Sequence, residues 1–237
     1  MAQPPKPLPS LSIFFPCCND AGTIGSLVLL AFSVAESLTD DYEVIVVDDF
    51  SADRSRAILE ELAARFPKLR LIFHDRNRGY GGAVKSGFAA AGKEFIFYTD
   101  GDRQYDVAEL PLLAASMGEG VDVVNGYKVN RADPWFRRLV GFGYNLASRR
   151  LFGLKVRDVD CDYRLLRRAV LDQVKLESDT GVICVEMMKK IQDAGFRVVE
   201  VPVHHFPRLY GQSQFFTVPH VARSAVALAR FWWRTRS

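Results

Sequence analysis

Short apolar runs alternating with helical patterns constrain this chain more than any other feature. Runs rich in β-branched and aromatic residues occupy 11–15, 42–47, 69–73, 95–98 and 121–125. Between them, 22–38 and 53–66 carry apolar residues at helical spacing, and the Gly-rich loop Arg78-Gly79-Tyr80-Gly81-Gly82 opens an Ala-rich helix that runs to Ala91. A short helical segment precedes the fifth run. Strands separated by helices of this length imply right-handed crossovers and a parallel sheet with helices on both faces. The fold class read from this pattern is α/β, Rossmann-like, with a mostly parallel central sheet.

Beyond Gly126 the pattern is less regular. Helices are expected over 134–152 and 181–194, short strands over 163–166 and 196–201, and a final helix from about Thr217 onward. The expected organisation is a Pro-rich leader over 1–10, one domain over 11–213 divided into halves at 11–126 and 127–213, and a basic amphipathic helix over 214–237. The leader MAQPPKPLPS has no apolar core of a secretion signal.

Composition excludes several classes. At 49% hydrophobic and 25% charged residues, the chain is neither disordered nor a multi-span membrane protein. No run reaches the roughly 18 apolar residues needed to span a bilayer. A net charge of +3, from 31 Lys and Arg against 28 Asp and Glu, is too mild to imply a nucleic-acid partner. Cys17, Cys18, Cys161 and Cys184 form no C-x-x-C pair, so reduced thiols in a cytoplasmic setting are expected rather than a disulfide framework or a zinc site.

Ligands of open α/β sheets bind at the carboxyl ends of the strands, and the unusual polar residues collect there. The first strand runs into Pro16-Cys17-Cys18-Asn19-Asp20, the second into Asp48-Asp49-Phe50-Ser51-Ala52-Asp53, and the fourth into Asp100-Gly101-Asp102-Arg103-Gln104. Any one of these suits a helix N-cap. Three acidic strand ends in one sheet repel one another unless a cation neutralises them. Asp100 and Asp102, separated by a glycine, suit a hard cation such as Mg2+ or Mn2+ that shares phosphate oxygens with them. The Gly-rich loop partly matches a dinucleotide fingerprint, but Val84 takes the third glycine position and the loop follows the third strand rather than the first.

Taken in order, P-x-x-N-D from Pro16, V-V-D-D-x-S-x-D from Val46, N-x-G-x-G-x-A from Asn77 and D-G-D-x-Q from Asp100 resemble family 2 glycosyltransferases. The resemblance covers about residues 10–213 and is nearest to the dolichol-phosphate mannose synthase-like and polyprenyl-phosphate sugar transferases. It implies a GT-A fold, a nucleotide-sugar donor (GDP-mannose or a UDP-hexose), a divalent cation and inversion at the anomeric carbon. By this resemblance Pro16, Asn19, Asp20 and Asp49 line the nucleotide pocket, and Asp100 sits near the ribose or sugar. Asp102 and Gln104 hold the metal and its diphosphate. The family usually carries Glu where this chain has Asp20, so the carboxylate here is one methylene shorter. Lys85, early in the third helix, is a further donor candidate, set against the reading of a solvated lysine.

The acceptor side is basic. Residues 128–157 contain eight Lys or Arg against the single acid Asp133. In the resembling synthases, cations of this region hold a lipid phosphate, which singles out Lys128, Arg131 and Arg138. The segment Asp158-x-x-Cys161-Asp162-Tyr163-Arg164 resembles the one that follows their acceptor helix, with a structural ion pair between Asp162 and Arg164 as the alternative. Arg208-x-x-Gly211-x-Ser213 resembles their late motif, whose Arg reaches the diphosphate. Asp100, Asp102 and Arg208 are thus the catalytic candidates, and Ser213 joins the acceptor set. His204 and His205 read as surface or packing residues.

A lipid phosphate is an anion that attacks without a base, whereas a sugar hydroxyl needs a carboxylate such as Asp158, Asp162 or Glu186. The last helix places Phe215, Val218, Ala222, Ala225, Val226, Ala229, Trp232 and Trp233 at helical spacing, with Arg223, Arg230 and Arg234 opposite and no acid over 214–237. That pattern suits an anionic membrane surface, although the apolar face equally suits packing on the domain. Relatives of the resembling type often carry transmembrane helices, so a separate membrane subunit is an expected partner. The leading expectation is transfer of a sugar to polyprenyl phosphate at the cytoplasmic face of a membrane. The alternatives are a hydroxyl acceptor or a non-catalytic nucleotide-sugar-binding protein.

Overall fold

The computed structural model describes residues 7–129, 135–208, 210 and 218–235. The strands are β1 (Leu11–Cys17), β2 (Tyr42–Asp48), β3 (Leu69–Phe73), β4 (Phe95–Thr99), β5 (Val123–Val129), β6 (Tyr163–Arg167) and β7 (Val198–His204). They form one seven-stranded sheet in the order β3-β2-β1-β4-β6-β5-β7. All neighbouring pairs run parallel except those of β6, which is antiparallel to both β4 and β5. The sheet is therefore mostly parallel, and its one reversed strand lies where the regular first half meets the second.

Successive side chains along the central strands serve two cores, as the period of two requires. Ile13, Phe15, Val44, Val46, Phe95 and Phe97 face one core, against α1 (Ile24–Leu38) and α4 (Leu110–Ser116). Phe14, Ile45, Val47, Ile96 and Tyr98 face the other, against α3 (Tyr80–Ala90) and α7 (Ile183–Asp193). Strands buried on both faces need no polar alternation, so β1 and β2 are buried at every position. Each fully buried Leu, Ile or Phe contributes roughly 1.5–3 kcal/mol. The remaining helices are α2 (Ser55–Ala63), α5 (Trp135–Phe152), α6 (Arg168–Gln173) and α8 (Val218–Arg234).

Element bounds follow the sequence with instructive differences. Sequence reading ends β1 before Pro16, yet the strand continues to Cys17. Pro16 falls beyond the last β1–β4 pair, Phe14 with Tyr98, and its carbonyl accepts the Gly101 N–H at 3.1 Å. The strand thus tolerates a residue without an N–H. No helix among the described residues is long and apolar enough to cross a membrane. α8 packs on the domain through Phe231, which stacks on Phe152 of α5 at 5.1 Å, while Val226 and Trp233 remain exposed. Its arginines do not form a free opposite face: Arg223, Arg230 and Arg234 line a cleft of about 690 Å3 between α8 and the loop 177–180.

Gly87 marks the closest approach of α3 to β1. A Cβ there would lie 2.3 Å from the Phe14 ring, itself wedged against Phe88 and Tyr98. Gly87→Ala, a change that favours an exposed helix, is expected to lower the unfolding free energy here by about 1–3 kcal/mol, read from urea titration of the purified protein.

Candidate active site

The carboxyl ends of β1, β2 and β4 are knitted together by short polar contacts. Asn19 donates its N–H to Ser51 Oγ at 2.8 Å and accepts the Ala52 N–H on its Oδ1 at 2.8 Å. The Asp20 N–H donates to Ser55 Oγ, and the Ala21 N–H to Asp53 Oδ2. Thr23 Oγ1 donates to the Gly101 carbonyl at 2.8 Å. Gly101 is required by crowding, since a Cβ there would meet the Pro16 carbonyl oxygen at 2.8 Å. Asp49 is held equally firmly: its Oδ1 accepts the Arg78 N–H at 2.7 Å and lies 2.6 Å from His74 Nδ1. His74 Nε2 in turn lies 2.9 Å from Ser86 Oγ.

Three carboxylates converge beside these turns. Arg208, from the segment after β7, contacts Asp102 Oδ2 through Nη2 and places Nη1 3.9 Å from Asp20 Oδ1. Asp102 Oδ1 also accepts the Gln104 N–H at 3.0 Å, and Tyr80 donates its hydroxyl to Asp100 Oδ1 at 2.8 Å. Burial raises the Asp20 carboxyl to about 6; the Cys18 N–H opposes this, Asp102 adds to it and Arg208 counters. Burial, with Asp162 and Asp102 nearby, pushes Asp100 well above the usual carboxylate range. The cluster therefore carries more negative charge than its own cation balances, and its donors are all hard oxygens. Those donors suit Mg2+ or Mn2+, with Asp102 and Asp20, the two carboxylates that Arg208 reaches, as the residues that would hold it. Gln104 belongs to the same turn, but its side-chain amide donates to the Phe206 carbonyl at 3.2 Å.

A second charged centre lies under β5 and β6. Arg164 is fully buried and donates from Nε to Asn125 Oδ1 at 2.7 Å and from Nη2 to the Val159 carbonyl at 2.7 Å. Its Nη1 donates to the Tyr98 hydroxyl and stands 3.5 Å from Asp162 Oδ1. Cys184 Sγ lies 3.0 Å from that same Asp162 oxygen. Arg164 is thus a structural cation with no free donor face, which corrects its assignment to acceptor binding in favour of the ion-pair alternative. Lys128 is nearly buried, placing Nζ 3.7 Å from Asp158 and 3.9 Å from Asp160. Arg138 is exposed on α5; Arg131 and Ser213 lie outside the described residues.

Two further expectations change. Lys85 pairs with Asp179 at 2.6 Å and donates to the Glu177 carbonyl at 2.8 Å, so it fastens a loop instead of facing the strand ends. Glu186 accepts the N–H groups of Glu177 and Ser178 and pairs with Lys190 at 2.7 Å, which commits it to the same loop and removes it as a base. The Gly-rich turn has the matching role. A Cβ on Gly81 would lie 2.3 Å from the Ser178 carbonyl oxygen, so that turn accommodates protein backbone. Asp160, Asp162 and Cys184 offer ligand atoms within 4.8 Å of one another. Lys128 and Arg164 already balance that group, and burial keeps the Cys184 thiol protonated.

Sequence reasoning missed His74, whose partner Asp49 is distant in sequence, and Asp160, whose carboxyl is raised to about 6. Withdrawal from water is the larger cause for Asp160, Asp162 and Asp158 add to it, and Lys128 opposes it. It also missed a pattern of backbone strain. Among the described residues, the non-glycine positions with positive φ are Asn19, Phe50 and Arg103, one in each of the three strand-exit loops.

Comparison with known proteins agrees with this geometry. Residues 12–175 match the family model described as glycosyl transferase family 2, and the chain belongs to that family. Among solved structures, glucosyl-3-phosphoglycerate synthase from Mycobacterium tuberculosis superposes with a TM-score of 0.72 at 18% identity, covering 94% of this chain and 80% of that one. That crystal structure holds Mn2+, uridine diphosphate and glucosyl-3-phosphoglycerate. A crystal of the same synthase with Mn2+ and UDP-glucose matches at a TM-score of 0.72 and 17% identity, covering 94% and 79% of the two chains. A mycobacterial protein matches at 0.67 and 19%, covering 87% and 69%. These likenesses establish the GT-A fold.

The raised carboxyl of Asp20 gives a pH signature. With a folded value near 6 against an ordinary 3.8, its ionisation costs stability as pH rises through about 6, and the cost vanishes below about pH 4. Asp20→Asn is therefore expected to stabilise the metal-free protein by about 2 kcal/mol at pH 7.5 and not at all at pH 3.5, as measured by thermal melts across that range.

Proposed function

We propose that this family 2 glycosyltransferase moves a sugar from a nucleoside diphosphate donor to polyprenyl phosphate, with inversion and with Mg2+ or Mn2+ as cofactor. The observation that carries the donor side is the convergence of Asp20, Asp100, Asp102 and Arg208 where β1 and β4 end. Asp102 and Asp20 would hold the cation, which would neutralise the departing diphosphate so that no proton need reach the leaving oxygen. Arg208 supplies a planar fork suited to a phosphate. The Tyr80 hydroxyl orients Asp100, and the Gln104 N–H orients Asp102. Asp49, fixed by His74 and the Arg78 N–H, stands at the nucleoside end.

The acceptor reading rests on charge and exposure. α5 and α8 contain arginines and no acid, and expose Leu139, Val140, Phe142, Val226 and Trp233. The cleft lined by Arg223 and Arg230 abuts the loop 177–180, which is joined to the start of α3 through the Gly81 N–H and the Asp179 carbonyl. The exposed Arg138 extends this basic side. A lipid phosphate held there attacks C1 on the face opposite the diphosphate and needs positioning more than a base. We place the protein on the cytoplasmic face of an anionic membrane, through α8 and α5, with a separate membrane subunit as the natural partner.

One observation favours a second reading. Asp160 is part-exposed, lies beside Asp162 and Cys184, and keeps its carboxylate 3.9 Å from Lys128, which places it to take a proton from a hydroxyl acceptor. The two readings separate in one assay of protein, Mn2+, nucleotide sugars, a short polyprenyl phosphate and hydroxyl acceptors, analysed by mass spectrometry. A polyprenyl-phosphate-linked sugar is the expected product, lost by at least roughly a hundredfold in Asp102→Asn and retained in Asp160→Asn. Transfer to a hydroxyl that disappears in Asp160→Asn would instead establish the second reading. Sedimentation with vesicles tests the surface: binding to anionic but not neutral vesicles is expected, and Arg230→Glu combined with Trp233→Ser should weaken it about tenfold or more.

A further inference from the structure

The geometry points to Phe50 as a platform on which the donor's nucleobase stacks, its strained backbone being retained for that contact; this rests on the nucleotide-sugar reading above. Phe50 has φ 63°, in the left-handed region that costs a bulky side chain most. The other two residues with this strain have local reasons for it. Asn19 tolerates the conformation and uses its side chain to accept the Ala52 N–H, and Arg103 reaches Ser26 Oγ at 3.3 Å while the turn brings the Gln104 N–H to Asp102. Phe50 has neither reason. Its side chain is 59% exposed and has no ring partner among the described residues, so packing does not offset the strain. A glycine or asparagine would satisfy the same turn.

Its place supplies the missing reason. The diphosphate end of the site lies at β4, with Asp102 and Arg208, and β1 separates β4 from β2 in the sheet. Two strand spacings put the end of β2 roughly 10 Å away, the span of a nucleoside extended from its diphosphate. There Asp49 uses Oδ1 for the Arg78 N–H and His74, and Cys18 is flanked by Asn77 and the Asp49 carbonyl. An exposed aromatic ring on the rim of such a polar notch offers a base the one contact that the notch lacks. Stacking of this kind accepts any base, because every base has a π-face.

Calorimetric titration of the intact protein with UDP and with GDP, each with Mn2+, tests the assignment in wild type, Phe50→Gly and Phe50→Tyr. Phe50→Gly is expected to bind its nucleotide roughly tenfold more weakly while melting at a higher temperature. Its affinity for Mn2+ with inorganic pyrophosphate should be unchanged, and Phe50→Tyr should bind the nucleotide like wild type. Unchanged nucleotide affinity in Phe50→Gly would overturn the platform, as would an equal loss of pyrophosphate binding, which reports damage to the whole loop. Folded wild type that binds neither nucleotide would instead overturn the nucleotide-sugar reading on which the platform depends.

Discussion

The buried guanidinium of Arg164 is the interaction on which the joining of the two halves depends. It sits on the one reversed strand, between Tyr98 of β4 and Asn125 of β5, and reaches past them to Val159 and Asp162. An isolated charge in such a place would cost many kcal/mol. Here every side of a rigid fork meets an oxygen, which an ammonium on a flexible stem would not achieve. Because β4 ends just before Asp100 and β6 begins just after Asp162, the same contact that closes the sheet brings two carboxylates near each other. Part of the upward pressure on Asp100 therefore comes from the scaffold.

The sheet thus holds two charge centres built on different principles. Around Arg164 and Lys128, cations and carboxylates are interleaved and satisfied within the protein. Around Asp20, Asp100 and Asp102, one guanidinium on a connecting segment reaches two of the three carboxyl groups. The first arrangement is a structural solution, and the second is left short of positive charge. A site short of positive charge favours a cation arriving with its own ligand, and the strands that surround it are too well buried to relax the strain by moving apart.

Legibility in the sequence followed the range of the interactions. The parallel half was readable because strands buried on both faces are continuous apolar runs, and β3 falls where its hydrophobic run does. The acidic strand ends were readable because each lies within a few residues of its strand. What depends on distant partners was not readable. Lys85 reads as available in the sequence because its partner Asp179 lies far along the chain. Glu186 reads as a base in the sequence, but its carboxylate accepts the Glu177 and Ser178 N–H groups. The reversal of β6 had no local signature either, since Tyr163–Arg167 is as apolar and β-branched-poor in either direction, and only its pairing with both neighbours fixes the sense.

The Gly-rich loop shows why motif and role must be argued separately. Its glycines fall where a phosphate cradle would place them, between a strand and a helix, and their spacing alone suggests a nucleotide. In the fold, the space they open is filled by the backbone at Ser178 and Asp179, with the Gly81 N–H bonded to the Asp179 carbonyl. That docking carries its own consequence for function. It ties the start of α3, and with it the Tyr80 hydroxyl that orients Asp100, to the loop bordering the basic cleft under α8. A shift in that loop reaches Asp100 through the Tyr80 side chain and its one hydrogen bond. Asp100 and the cleft under α8 are thus linked by one backbone contact that only glycine permits and by one tyrosine hydroxyl.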